Sequence, residues 1–373
     1  MSWKIARRAC TVLTVGAAVF ATATPATPAA TPAPPVSPVS FTSPVSPVPP
    51  GSPGSPGSPG SPAEAPAPVR AGSYSAFAFA RTGGQPAIYD FINSATRTLD
   101  MTMYELEDTT AVDDLVALEK KGVAVRVILD RQHQSADNPA YRALTAAGAG
   151  VVWSSAAFVY THQKTITVDG AKSLIMTGNL TSRYYRTSRD YGVFDDDPRD
   201  VAAIEKVFAA DYAGTSVTPG DGDHLLWSPT DSRDRLVSLV EGATKTLDVE
   251  ELELSDSAVV AAVEARAKAG VTVRVVLETP GDYASAVSRI KAAGGTVVGY
   301  SDPGGFYIHA KAMVADYGLA TQAVEAGSMN ISSNSLSRNR ELGIILTGTG
   351  AAAQVARTVE TTFAADYAGG TAA

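Results

Sequence analysis

The sequence predicts an α/β fold built from two tandem homologous α-β-α sandwich domains, with mixed sheets packed together in a pseudo-two-fold arrangement. Three observations carry this. First, the chain repeats itself. "ATRTLDMTMYELED" (Ala95 to Asp108) parallels "ATKTLDVEELELSD" (Ala243 to Asp256), "GVAVRVILD" (Gly122 to Asp130) parallels "GVTVRVVLE" (Gly270 to Glu278), and "FAADYAG" occurs verbatim at Phe208 to Gly214 and Phe363 to Gly369. Second, the offset is nearly constant, 148 residues at Asp100/Asp248 and Arg126/Arg274 and 147 at His162/His309. That period is far longer than a stacked solenoid repeat, so the halves are duplicated domains. Third, β-branched runs alternate with helical patterns within each half, which implies sheets covered by helices on both faces.

The elements of the first half follow in order. A helix over about Gln85 to Ala95 leads into the apolar strand "TLDMTMYEL". "DTTAVDDLVALEKKG" opens on a capping aspartate and closes on glycine, the signature of a helix. "VAVRVILD" is a buried strand. A helix near Tyr141 to Ala147 leads to the strand "GVVWS". Three more strands follow, one around His162, then "KSLIMTG" and "DYGVFDD", and a helix from Pro198 to Tyr212 completes the unit. The second half repeats this plan. The expected boundaries are 71–214 for the first domain, 215–223 for a connector and 224–373 for the second.

The first 70 residues stand apart. Lys4, Arg7 and Arg8 precede an apolar stretch from Ala9 to about Ala21, and Ala21-Thr22-Ala23 suits cleavage. Residues 1–23 are expected to be a secretory signal, which makes the protein secreted and extracellular. Residues 24–70, which include "GSPGSPGSPGSP", are expected to be a disordered linker rich in Pro, Ser and Gly. The only cysteine, Cys10, falls inside the leader. The processed chain then has no thiol, which excludes disulfides, cysteine nucleophiles and thiolate metal sites. No spanning segment follows the leader, and a monomer is expected. Loss of the leader takes the formal charge from −8 to −11, which disfavours non-specific nucleic-acid binding.

The chemistry is concentrated in two short stretches. "YTHQKTITVDG" (Tyr160 to Gly170) and "YIHAKAMVADYG" (Tyr307 to Gly318) each place His and Lys two residues apart, and an Asp five residues after the Lys. On a strand, that spacing puts His162 and Lys164, or His309 and Lys311, on one face. Imidazole beside ammonium suits a phosphate. Lys neutralises its oxygens while His attacks or donates a proton. Asp169 and Asp316 turn away from that face and support the strand ends. Asn179 in "MTGNLT" and Asn330 in "GSMNIS" can donate to a phosphoryl oxygen, and the acids of "SRD" and "NRE", Asp190 and Glu341, can hold an imidazole in one tautomer. The other two histidines, His133 and His224, are expected to be structural, although His133 follows a buried strand where a cleft could lie.

Two copies of H-x-K-x4-D, each followed by a Gly/Asn turn, resemble the phospholipase D superfamily, and the resemblance covers about Tyr74 to Gly369. The second copy matches more fully, through His309, Lys311, Asp316, Gly327, Ser328, Asn330 and Glu341. The first has "TGN" where the second has "GSMN", and Asp190 in place of the glutamate. The resemblance implies one site shared by the two motifs, with no metal or other cofactor. One histidine attacks phosphorus to form a phosphohistidine. The other protonates the leaving alcohol and then activates water or an acceptor alcohol. The usual roles in the superfamily assign the attack to His162. They imply a phospholipase D that hydrolyses, or transphosphatidylates, a phospholipid head group at a membrane or micelle interface. A metal-independent endonuclease on the same fold is the alternative, and an inactive binding module is disfavoured by two complete His/Lys pairs.

Overall fold

The computed structural model describes residues 72–80, 83–301, 305–350 and 352–373, all within one compact unit. The leader and the linker lie outside the described residues. The first half runs β1 (Tyr74–Ala78), α1 (Gln85–Asn93), β2 (Thr98–Met103), α2 (Thr109–Lys120), β3 (Ala124–Leu129), α3 (Gln134–Ala147), β4 (Gly150–Trp153), β5 (Lys164–Val168), β6 (Lys172–Met176), β7 (Ser188–Arg189), β8 (Tyr191–Asp195) and α4 (Pro198–Ala213). The second runs β9 (Leu225–Ser228), α5 (Ser232–Gly242), β10 (Thr246–Glu251), α6 (Ser257–Lys268), β11 (Thr272–Glu278), α7 (Ala284–Ala292), β12 (Thr296–Tyr300), β13 (Tyr307–Ile308), β14 (Lys311–Ala315), β15 (Ala323–Gly327), α8 (Ser333–Arg338), β16 (Glu341–Thr347), α9 (Ala353–Gly369) and β17 (Thr371–Ala372).

The duplication is visible in the strand order. The first sheet runs β1-β8-β6-β5-β2-β3-β4, and the second, taken from β9, runs β9-β16-β15-β14-β10-β11-β12 with β17 at its far edge. In both, the βαβ strands pair in parallel and the motif strand pairs antiparallel beside them. Helices α1, α2 and α3 cover the outer face of the first sheet, and α5, α6 and α7 that of the second. Between the sheets lies a third apolar core, with Ile175, Tyr191 and Val193 from one sheet, Trp227, Val314 and Leu342 from the other, and α4 and α9 alongside.

The verbatim heptapeptide has a physical reason. Asp100 and Asp248 pair with Arg126 and Arg274 on the adjacent strand. Each guanidinium then lies over an aromatic pair from its own half, Phe208 and Tyr212 in α4, or Phe363 and Tyr367 in α9. The aspartate of the heptapeptide reaches the opposite half. Arg340 pairs with Asp211 at 2.8 Å, and Arg189 with Asp366. Both arginines are buried, so these crosswise pairs bind one half to the other within low dielectric.

Two boundaries differ from the sequence reading. Helix α3 begins at Gln134, seven residues earlier than Tyr141, because Pro139 sits inside it without ending it. The motif strands begin at the lysines, so His162 and His309 precede β5 and β14 rather than lying within them.

Asp169 and Asp316 end these strands as expected. Each adopts a left-handed backbone, with φ of 55° and 51°. Asp316 accepts the backbone N–H groups of Thr244, Lys245 and Thr246 and the hydroxyls of Thr244 and Thr321. Asp169 does the same for Thr96, Arg97 and Thr98. Burial pushes both carboxyls up, but these donors outweigh it and hold each at about 2. Each therefore contributes stability that is fully present above the ordinary value of 3.8 and is lost as pH falls through about 2. Asp316→Ala should lower stability by roughly 3 kcal/mol, since it strands several donors at once. Urea unfolding at pH 7 measures this, and a loss below about 1 kcal/mol would contradict the anchoring role.

Candidate active site

The backbone brings the two motifs together by exchange. Thr161 forms a parallel bridge with Arg340, and β13 pairs in parallel with β7. The N–H of His162 donates to the Arg340 carbonyl at 2.9 Å, and that of His309 to the Arg189 carbonyl at 3.2 Å. Arg340 and Arg189 directly precede Glu341 and Asp190. Each histidine is thereby carried to the acid of the opposite half. His162 Nδ1 lies 2.8 Å from Glu341 Oε2, and His309 Nδ1 lies 2.8 Å from Asp190 Oδ1.

Both acids are held by further donors. Asp190 accepts from the hydroxyls of Thr177 and Ser188, each at 2.7 Å. Glu341 Oε1 accepts from Ser335 Oγ at 2.6 Å and Asn339 Nδ2 at 3.0 Å. A β-carbon on Gly178 would stand 2.7 Å from Asp190 Cγ, so the turn before Asn179 tolerates only glycine there. Gly327 plays a comparable part, where a β-carbon would meet Gly343 Cα at 2.4 Å. Ser328 faces inward, its hydroxyl on the backbone of Leu342, so it supports the Glu341 strand and does not reach into the site.

The ammonium groups of Lys164 and Lys311 each donate to the carbonyl of their own motif histidine. Lys311 also reaches the Thr177 carbonyl of the other half at 3.4 Å. Burial lowers both lysines below their ordinary value, against the pull of the buried carboxylates. Burial likewise lowers the imidazoles, His162 to about 4, with Lys164 and Lys311 adding to the effect. Burial raises Asp190, but His309 and Lys311 outweigh it and hold it at about 2; Glu341 is lowered in the same sense by His162. The resting pair is therefore a neutral imidazole on an ionised carboxylate, twice. An imidazole that donates Nδ1–H to a carboxylate leaves the Nε2 lone pair free to attack or to take a proton.

Asn179 and Asn330 stand at equivalent turns, each with a buried Oδ1 that has no partner among the described residues. Asn179 Nδ2 donates to Glu105 Oε2 at 3.1 Å. His224 is structural, bonded to Asp200 and Tyr74 beside the connector. His133 differs from expectation and stands at the site, with its ring 4.2 Å from that of Tyr104, which in turn lies 4.4 Å from His162.

Sequence reasoning missed several supporting residues. Asp130 Oδ2 accepts the Thr161 N–H at 2.7 Å, and Glu278 Oε2 the Ile308 N–H at 3.0 Å, so the acid just after β3 and the one that ends β11 fix the residue before each histidine. Their equivalent places in the repeat were the available signal. Arg189 and Arg340 stood in "SRD" and "NRE", but nothing in a linear string marks a partner in the other half.

Among the described residues, no three His, Cys, Asp or Glu side chains are arranged to hold a metal ion, and no helix is long and apolar enough to cross a membrane.

Two stretches of the chain, 88–212 and 236–366, match the family described as "Cardiolipin synthase, PLD-like domain". The chain is similar to the "Mitochondrial cardiolipin hydrolase" of Danio rerio, 25% identical over 121 residues, or 32% of this chain and 53% of that protein. The protein of the same description from Chlamydomonas reinhardtii is 27% identical over 119 residues, with the same coverage. The chain thus spans about half the length of the curated relatives it matches. Among solved structures, phosphatidylserine synthase of Haemophilus influenzae aligns with a TM-score of 0.62 and 10% identity, over 78% of this chain and 85% of that one. At that identity the likeness speaks for the fold.

Proposed function

The chain belongs to the phospholipase D superfamily, and on that premise we propose that it is a phosphodiesterase that cleaves the head-group ester of a phospholipid through a phosphohistidine. The carrying observation is the pair of imidazoles, each bonded through Nδ1 to the carboxylate of the opposite half. His162 Nε2 attacks phosphorus, and the bond from phosphorus to the leaving oxygen breaks as His309 gives that oxygen a proton. His309 then takes a proton from water, whose oxygen displaces His162 and restores it. An acceptor alcohol in place of water gives transphosphatidylation. Lys164, Lys311, Asn179 and Asn330 hold the non-bridging oxygens as charge develops.

The acidic chain and the similarity to cardiolipin hydrolases favour a lipid over a nucleic acid. The test offers purified protein vesicles of phosphatidylcholine or cardiolipin, and separately plasmid DNA, all in EDTA. Release of choline from phosphatidylcholine, or of phosphatidic acid and phosphatidylglycerol from cardiolipin, by the wild type, and none by His162→Ala, is expected. DNA cleavage without lipid turnover overturns the lipid reading. Complete loss in EDTA, restored by one divalent ion, overturns the mechanism. We place this activity outside the cell on the strength of the leader, and an exported protein whose first residue lies beyond residue 23 is the corresponding check.

The resting state also implies a pH profile. Attack needs His162 neutral, and leaving-group protonation needs His309 charged. Burial lowers both imidazoles, His162 to about 4. The rate rises as the first loses its proton and falls as the second does, with both limbs belonging to the pair. The kcat/KM optimum should therefore lie below 6.5, the ordinary histidine value. A rate still rising above pH 8 would contradict this assignment.

A further inference from the structure

The two halves are not equivalent around their asparagines. In the first, the His133 ring has Asp130 Oδ1 at 3.5 Å from Nδ1 and Glu105 Oε1 at 3.7 Å from Nε2. These are ion-pair distances, and burial, which lowers the imidazole, is outweighed by the surrounding carboxylates, so its pKa is raised. Glu105 in turn accepts from Asn179 Nδ2 through its other oxygen. A carboxylate only accepts, so this bond fixes which end of the amide faces Glu105, and leaves the second N–H of Nδ2 for a ligand. His133 also packs edge-on against Tyr104, which in turn neighbours the His162 ring at 4.4 Å, Lys164 Nζ at 4.7 Å and the Tyr160 ring at 5.9 Å. The 148-residue offset puts Gly281 at the place of His133 and Leu252 at that of Tyr104. Among the described residues, Asn330 makes no bond to Glu253, the counterpart of Glu105.

We propose that His133 is a positioning residue of the first half: held by Asp130, it fixes Glu105 and so the Asn179 amide, and it backs the Tyr104 ring on which His162 rests. The chain of contacts is built once, on the side that carries the attacking histidine. The second half holds its asparagine without it. This rests on the reading of Asn179 as a donor to the phosphoryl group and of His162 as the nucleophile. It adds a residue that the repeated motif does not contain.

The test is a double-mutant cycle with two readouts, orthovanadate binding and turnover of bis(p-nitrophenyl) phosphate. His133→Phe keeps the ring against Tyr104 and removes the contacts with the carboxylates. It should weaken vanadate binding and lower kcat, each about tenfold, with KM little changed, as expected when a donor group is displaced by a fraction of an ångström. His133→Gln, whose side-chain amide can reach toward Glu105, should recover most of both. In an Asn179→Ala background His133→Phe should have little further effect, whereas in an Asn330→Ala background its full effect should remain. Additivity with Asn179→Ala, or wild-type binding and kcat in His133→Phe, overturns the proposal. Equal hydrolysis by wild type and His162→Ala would instead overturn the phosphodiesterase reading, while the vanadate cycle still decides the role of His133. Absence of vanadate binding by the wild type overturns both.

Discussion

His162→Ala and His309→Ala should each lower turnover of a phospholipid on the order of 10⁴-fold or more, and the double variant should be no worse than the weaker single. The two imidazoles act as one unit. Without a nucleophile there is nothing to protonate, and without the acid the alkoxide leaves too slowly. The variants should part on a substrate with a good leaving group, such as a p-nitrophenyl phosphodiester, whose departure needs little protonation. His309→Ala should then still accumulate a phosphoryl-enzyme on rapid quenching, and His162→Ala should form none. Mass mapping of the adduct decides the assignment. An adduct on His309 in the wild type would reverse the roles, and turnover with no adduct on either histidine would refute the covalent mechanism.

The second large effect is on stability. Arg189 is buried against Asp366, and its guanidinium also donates to the Phe79 carbonyl. Asp366→Ala leaves that cation in low dielectric with its nearest carboxylate removed, which should cost about 3 kcal/mol. Glu250 lies in the same buried group, and burial together with Asp366 raises its pKa well above the ordinary value. Once Asp366 is gone, Glu250 can ionise toward Arg189, which keeps the loss near the lower end for a broken buried pair. Arg189→Met with Asp366→Leu should recover most of the loss, because no unpaired charge then remains. Denaturant unfolding reads both. A single Asp366→Ala protein as stable as the wild type would remove this pair from the forces that join the halves.

Much of the site was legible in the linear string because it is built from short-range geometry. His and Lys two residues apart must emerge near one strand end, and an aspartate five residues later must fall at the other end. A left-handed turn with several unpaired backbone donors nearby then recruits that carboxylate, as Asp169 and Asp316 show. The repeat also ranked the histidines, separating His162 and His309 from His224. It misplaced His133, because a position that is glycine in the other copy carries no duplicated signal. The start of α3 was misjudged as well: the helix begins at Gln134, and Pro139 lies inside it without ending it.

What the sequence by itself determined is the pairing of like with like: two α-β-α units, two His/Lys pairs, two asparagines and two acids at matching places. Which acid serves which histidine was decided only by the tertiary structure. Within one copy Asp190 follows His162 and Glu341 follows His309, but the bonds run from His162 to Glu341 and from His309 to Asp190. The cause lies in the segments between the strands. Each approach to a histidine hydrogen-bonds to the backbone just before the acid of the other copy, through Thr161 and Arg340 and through β13 and β7. The arginines there are locked by Asp211 and Asp366 on the opposing helices. Such contacts join residues more than a hundred positions apart, and no periodicity or spacing along the chain encodes which of two equivalent partners will be met.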